Sequence, residues 1–94
     1  MRTVYLASAA RDIAWFRHYY RAVFPQGAEK AWARIRAIQR LLAENPRIGR
    51  RSDAHEGARE FPVTGTPFTI IYRLTETRIE ILRLWDNRRD PGGG

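Results

Sequence analysis

Apolar positions recur along this chain with two different periods, helical in its first half and alternating in its second. Val4-Tyr5-Leu6 is short, apolar and β-prone, and Ser8 follows with a hydroxyl suited to an N-cap, which predicts a first strand running straight into a helix. Over residues 9–24, Ile13, Phe16, Tyr20 and Val23 fall at i, i+3, i+7 and i+10, one face of a helical period, so a helix is predicted with that face in the core. Pro25-Gln26-Gly27 interrupts the period. A second stripe of Ala28, Ala31, Ile35, Ile38 and Leu42 begins at once and stops at Asn45-Pro46. So short a break forces the two helices antiparallel, and the small Ala28 and Ala31 let their backbones approach closely.

Residues 47–57 (RIGRRSDAHEG) show no period and read as a surface loop carrying Arg47, Arg50 and Arg51. Arg59 to Val63, Phe68 to Leu74 and Arg78 to Trp85 are β-rich runs, which predicts three antiparallel strands. A two-residue turn at Glu76-Thr77 sets Leu74 opposite Ile79, Arg73 opposite Glu80 and Tyr72 opposite Ile81, with Arg73 and Glu80 as a cross-strand ion pair. Strict alternation then puts Phe68, Ile70, Tyr72, Leu74, Ile79 and Ile81 on one face, and Thr69, Ile71, Leu82 and Leu84 on the other. A helical hairpin covers only one face of so small a sheet, so the apolar part of the second face points to a protein partner. The predicted class is α+β: an N-terminal strand, an antiparallel helical hairpin and a three-stranded antiparallel meander, in a single domain over 1–91 with 92–94 as a disordered tail.

Composition adds charge to this picture. Seventeen basic residues against ten acidic ones give a net charge of +7, which favours a polyanion or an acidic protein as partner. Sixteen of the seventeen are arginine, with Lys30 the only lysine, a bias toward planar two-point contact with carboxylate or phosphate. With no cysteine there is no disulfide framework and no thiolate metal site, and a reducing, cytoplasmic setting is the default. No apolar run has membrane length.

Arg47, Arg50, Arg51, Arg88 and Arg89 either converge on phosphates or an acidic partner or form a solvated basic surface; composition does not separate the two. Arg59 and Arg83 lie within strands, where an arginine either pairs with a carboxylate or faces a binding groove, pairing being the commoner outcome. Trp15 and Tyr19 lie one turn apart off the main stripe of the first helix and offer a second apolar patch, though a broad core edge explains such residues more often. Trp32 and Trp85 read as core. Ser52, Asp53 and His55 are neighbours in one loop, which is not how a catalytic triad is usually assembled, and two distant histidines do not make a zinc site. Neither a metal nor a cofactor is expected.

Taken in order, Leu42-Ala43-Glu44-Asn45-Pro46-Arg47-Ile48-Gly49, Gly57-Ala58-Arg59-Glu60-Phe61-Pro62-Val63, Ile71-Tyr72-Arg73, and Ile79-Glu80-Ile81-Leu82-Arg83 leading to Arg88-Arg89-Asp90-Pro91 resemble the ParE/RelE superfamily of type II toxin–antitoxin toxins, most closely its ParE branch. The resemblance implies a toxin neutralised by a cognate, ParD-like antitoxin whose acidic C-terminal segment wraps it in a hetero-oligomer. It implies DNA gyrase as the target, with a RelE-like endonuclease acting on ribosome-bound mRNA as the alternative. A plain nucleic-acid-binding module is the third reading. Under these expectations the target is met by Arg47, Arg50, Arg51, Arg59, Arg83, Arg88 and Arg89, and the antitoxin by Trp15, Tyr19, Arg73, Leu82, Leu84 and Trp85. In the nuclease reading Arg59, Arg88 and Arg89 are the catalytic candidates. The aromatic or imidazole acid of that pattern has no counterpart after Arg89, and arginine is a poor proton shuttle near neutrality.

Overall fold

The structure, a computed structural model, describes residues 1–89; the tail expected at 92–94, and any ion pair of Asp90, lie outside the described residues. Strand β1 (Arg2–Tyr5) leads into helix α1 (Ala7–Ala22), a 3-10 turn at Pro25–Gly27 and helix α2 (Ala28–Glu44). Strands β2 (Arg50–Arg51), β3 (Arg59–Pro62), β4 (Phe68–Leu74) and β5 (Arg78–Asp86) follow. They form one five-stranded sheet in the order β1-β5-β4-β3-β2, with β1 parallel to β5 and the other pairs antiparallel. The α+β class and the order of parts are as expected, and the meander is extended by β1 on one side and by β2 on the other.

The core lies between the hairpin and one sheet face: Phe16 and Tyr20 from α1, Ala31, Ile35, Ile38 and Leu42 from α2, and Phe68, Ile70, Tyr72, Ile79, Ile81 and Leu84 from the sheet. Helix α2 buries Ala31, Ile35, Ile38 and Leu42 of the stripe expected of it, with Ala28 half-buried at its start. Helix α1 begins two residues earlier than expected and is rotated, burying Ala9, Asp12, Phe16 and Tyr20. Its N-cap is Leu6 without a side-chain cap; Ser8 lies inside the helix and caps nothing there. Ile13 is only half-buried and Val23, at the C-cap, is 64% exposed, because α1 lies against the second half of β5, beyond its pairing with β1, and its last turn leaves the core.

The segment read as a structureless loop contains β2, which pairs Arg50 with Glu60 and Arg51 with Arg59. It is pinned beneath by Tyr72, whose hydroxyl donates to Pro46 O (2.8 Å) and accepts from Gly49 N–H (2.9 Å). Gly49 is required here, since a Cβ would come within 2.8 Å of the Tyr72 ring and of Glu60 O. Tyr72→Phe removes both contacts while leaving the ring, and leaves a buried N–H unpaired. It should lower stability by about 1–3 kcal/mol, read as a lower urea midpoint at unchanged slope.

The turn at Glu76-Thr77 sets the expected register, Leu74 with Ile79, Arg73 with Glu80 and Tyr72 with Ile81. A β-bulge follows. Ile71 pairs with Arg83, so Leu82 is the extra residue, and every later side chain of β5 changes face. Leu84, expected on the open face, is 3% exposed in the core; Arg83 and Trp85 take the open face instead. That face is also less bare than expected, since Ile71 is itself buried.

Candidate functional site

Strand β1 pairs only with the first half of β5, residues 78–81, and Leu6 N–H adds one more bond to Ile81 O. Beyond that point α1 replaces the missing strand. Ser8 Oγ donates to Leu82 O (2.7 Å), Asp12 Oδ2 accepts from Leu84 N–H (3.0 Å), and Trp15 Nε1 donates to Asp86 Oδ2 (2.8 Å). Residues 8, 12 and 15 follow helical spacing, so one stripe of α1 meets the free edge of β5, Ser8 and Asp12 at its backbone and Trp15 at the Asp86 carboxylate.

Two buried carboxylates organise this seam. Asp12 accepts from Arg83 Nε (2.7 Å) and Nη2 (3.0 Å), a two-point pair with the Arg83 guanidinium 4.9 Å from the Trp85 ring centroid. The hydrogen bonds to Asp12 hold Arg83 above the usual arginine range. Asp86 accepts from Arg88 N–H (3.0 Å), Nε (2.9 Å) and Nη2 (2.6 Å) as well as from Trp15. Arg88 then lies 4.3 Å from the Tyr19 centroid and Arg89 lies 4.4 Å from that of Trp15, both in cation–π geometry. Asn87 fastens the same corner, its N–H donating to Pro67 O (2.6 Å) and its Oδ1 accepting from Thr69 Oγ1 (2.9 Å).

Hydrogen bonds from Arg88, reinforced by those from Trp15, outweigh burial and bring the Asp86 carboxyl down to about 2. A carboxyl depressed in the fold contributes stability above its unfolded value near 4 and loses that stability as pH falls through about 2. Stability should therefore hold from neutrality to about pH 4 and drop by roughly 1–2 kcal/mol toward pH 2 on account of this group, the lower figure allowing for the half-exposed Arg88. Urea unfolding at pH 5 and pH 2.5 checks this, and Asp86→Asn should flatten the acid limb.

On the open face, Arg83, Trp85 and Arg89 line one side of a concavity of about 570 Å³, with Ala54, His55 and Glu60 opposite and Ile71 among the lining residues. Glu60 accepts from Arg50 (3.1 Å) and from Ser52 Oγ (2.7 Å), so the Ser52 hydroxyl is engaged with a carboxylate and not with an imidazole. Farther along, Glu80 is buried between Arg73 (2.6 Å) and Arg78, which hold its carboxyl below the usual range.

The expected target residues separate into two groups. Arg83 and Arg89 line one concavity and Arg88 and Arg89 a second beside it, at the end of β5, while Arg47, Arg50 and Arg51 lie toward the β2 edge. Arg59 is held differently: its Nη1 donates to Gly49 O (2.9 Å) and Arg47 O (3.2 Å), tying down the same segment as Tyr72. It sits at the register of Tyr72, four strand steps or about 13 Å from the Phe68 level where Asp86 holds Arg88. The nuclease candidates Arg59, Arg88 and Arg89 are thus not brought to one point. Of the expected antitoxin residues, Trp15 and Tyr19 lie on α1 under the two terminal arginines, Arg73 and Trp85 on the open face, Leu82 at the bulge, and Leu84 in the core. Asp12 and Asp86 were not expected to matter. The available signal was that Asp12 interrupts an otherwise apolar helical face, Ala9, Phe16 and Tyr20, as only a paired carboxylate can.

Fold and site together define a small basic α+β protein whose arginines at the end of β5 are set against aromatic rings and buried carboxylates. The family described as "ParE toxin of type II toxin-antitoxin system, parDE" matches residues 4–91. Among solved structures, one described as the chromosomal ParDE TA system from P. aeruginosa is similar at 30% identity and a TM-score of 0.69, over 89% of this chain and 92% of that one. No curated protein sequence gives a significant match. The chain belongs to the ParE family of toxins of type II toxin–antitoxin systems.

Proposed function

We propose that this toxin acts in the cytoplasm by binding DNA gyrase, without covalent or hydrolytic chemistry of its own, and is neutralised by a ParD-like antitoxin through an acidic segment. The observation that carries the reading is the seam at the end of β5, where Arg83, Arg88 and Arg89 are fixed by carboxylates and rings as a binding surface would be. Arg59, which a nuclease would need beside Arg88 and Arg89, is instead bonded to two backbone carbonyls. Outward donors on Arg83, Arg88 and Arg89 meet the target; Trp15, Tyr19, Arg73, Leu82 and Trp85 offer an antitoxin both apolar and cationic contact. Among the described residues no helix is long and apolar enough to cross a membrane.

Two assays on the purified chain decide the target. Gyrase supercoiling should be inhibited, and mRNA held in a programmed ribosome should stay intact. Cleavage of that mRNA, abolished by Arg89→Ala, with supercoiling untouched, would replace this reading with the endonuclease.

A further inference from the structure

We infer that Asp12 and Asp86 are positioning residues of the toxin, holding Arg83 and Arg88 as a preset pair of guanidinium groups at the end of the α1–β5 seam. The inference rests on the reading that these arginines touch the target, and not on which target it is.

Capping a strand edge does not require a carboxylate. Ser8 does it with a hydroxyl, and a neutral side chain avoids the desolvation that two buried carboxylates, each 3% exposed, must overcome. What a carboxylate adds is two-point recognition of a guanidinium. Asp12 and Asp86 both use it in the same way, each engaging the Nε and Nη2 edge of its arginine. That edge-on grip leaves Nη1 of both arginines without a carboxylate contact among the described residues. Neither arginine is enclosed: the Arg83 side chain is 29% exposed and that of Arg88 50%. Each is also held by an aromatic ring, Trp85 for Arg83 and Tyr19 for Arg88, so the plane of the guanidinium is restricted as well as its position.

A free arginine side chain loses rotamer freedom when it binds, and a preset one has already lost it. The buried aspartates therefore raise affinity for the target without touching it. They also tie the arginines to the helix: Asp86 receives Trp15 from α1, and Asp12 belongs to α1, so both guanidinium groups are referenced to one rigid element.

The test measures growth arrest in bacterial cells expressing the chain without its antitoxin, as the inducer dose required, beside ¹⁵N relaxation of the arginine Nε–H groups. Asp86→Asn and Arg88→Ala should each weaken toxicity by roughly tenfold or more, and the double variant should be no weaker than either alone, the signature of two residues acting as one. Asp12→Asn and Arg83→Ala should behave likewise. Nε–H of Arg88 should become mobile in Asp86→Asn while that of Arg73 stays ordered. Glu80→Gln is the control: it removes a buried, arginine-paired carboxylate away from the seam, so it should unfold more easily than wild type and still arrest growth at the wild-type dose.

Wild-type toxicity in Asp86→Asn despite a mobile Arg88 overturns the inference, as does an additive double variant or a loss in Glu80→Gln equal to that in Asp86→Asn. Should Asp86→Asn fail to accumulate as folded protein, Arg88→Lys keeps the charge and loses the two-point grip; reduced toxicity then supports the inference and full toxicity overturns it. The same proteins assayed on gyrase keep the two readings apart. Arrested growth with intact supercoiling sinks the gyrase reading alone, and the ranking of variants by growth arrest still decides the role of the aspartates.

Discussion

Phe16→Ala should cost about 3–5 kcal/mol and lower the melting temperature by upward of about 15 °C. Phe16 is 0% exposed, and its ring meets Trp32 of α2 at 4.7 Å, Phe68 of β4 at 5.0 Å and Tyr20 one turn on at 4.9 Å. Both helices and the sheet therefore lean on one side chain. Few interior neighbours can close the void, because Phe68 is anchored in a strand and Trp32 in a helix, so the cavity should persist largely unfilled. A domain of this size has about 5–15 kcal/mol in total, which puts the variant near the limit of folding at 37 °C. Phe16→Leu, which fills most of the volume, should cost less than half as much. Urea unfolding of both variants checks the ranking; equal, small shifts would mean that the helices pack on the sheet through some other contact.

The helices and strands were legible because local patterns sufficed for them. The stripe of α2 is regular, the break at Pro25–Gly27 is where the helices part, and a two-residue turn at Glu76-Thr77 is enough to set Arg73 opposite Glu80. Legibility ended where a single residue changed parity. The bulge at Leu82 carries no glycine or proline to announce it, yet it turns Leu84 into the core and brings Arg83 and Trp85 onto the open face. A one-residue slip inverts every later assignment, so strict alternation puts Leu84 on the partner-facing side while the bulge carries it into the core. The parallel pairing of β1 with β5 joins residues more than seventy positions apart, and no local signal encodes it.

For the site, arginine excess pointed to a basic surface but not to how its arginines are held. Arg59 looks like the other strand arginines in sequence, and only the fold shows it bonded to the 47–49 backbone. Arg83 and Arg88 drew attention as cations, whereas the carboxylates that orient them lie 71 and two residues away along the chain. The rotation of α1 links the two omissions. Had Ile13 faced the core as its period suggested, Asp12 would point to solvent; leaning on the β5 edge turns it inward, where a carboxylate is tolerated only if paired.

That dependence makes Asp12→Ala the second large effect. The substitution removes three hydrogen bonds at once, two from Arg83 and one from Leu84 N–H, and leaves a strand edge without an acceptor. Breaking a buried ion pair from one side costs about 3–5 kcal/mol, but Arg83 is 29% exposed and can swing partly into water, so about 2–4 kcal/mol is expected here. Asp12→Asn retains one acceptor for Leu84 N–H and should cost about half of that. Replacing both ends, Asp12→Ala with Arg83→Met, removes the orphaned cation and should recover part of the loss, which a thermodynamic cycle on urea midpoints would show as a favourable coupling between the two sites. A single variant costing under about 0.5 kcal/mol would mean that water caps the β5 edge as well as Asp12 does, and that α1 stands beside the sheet without completing it.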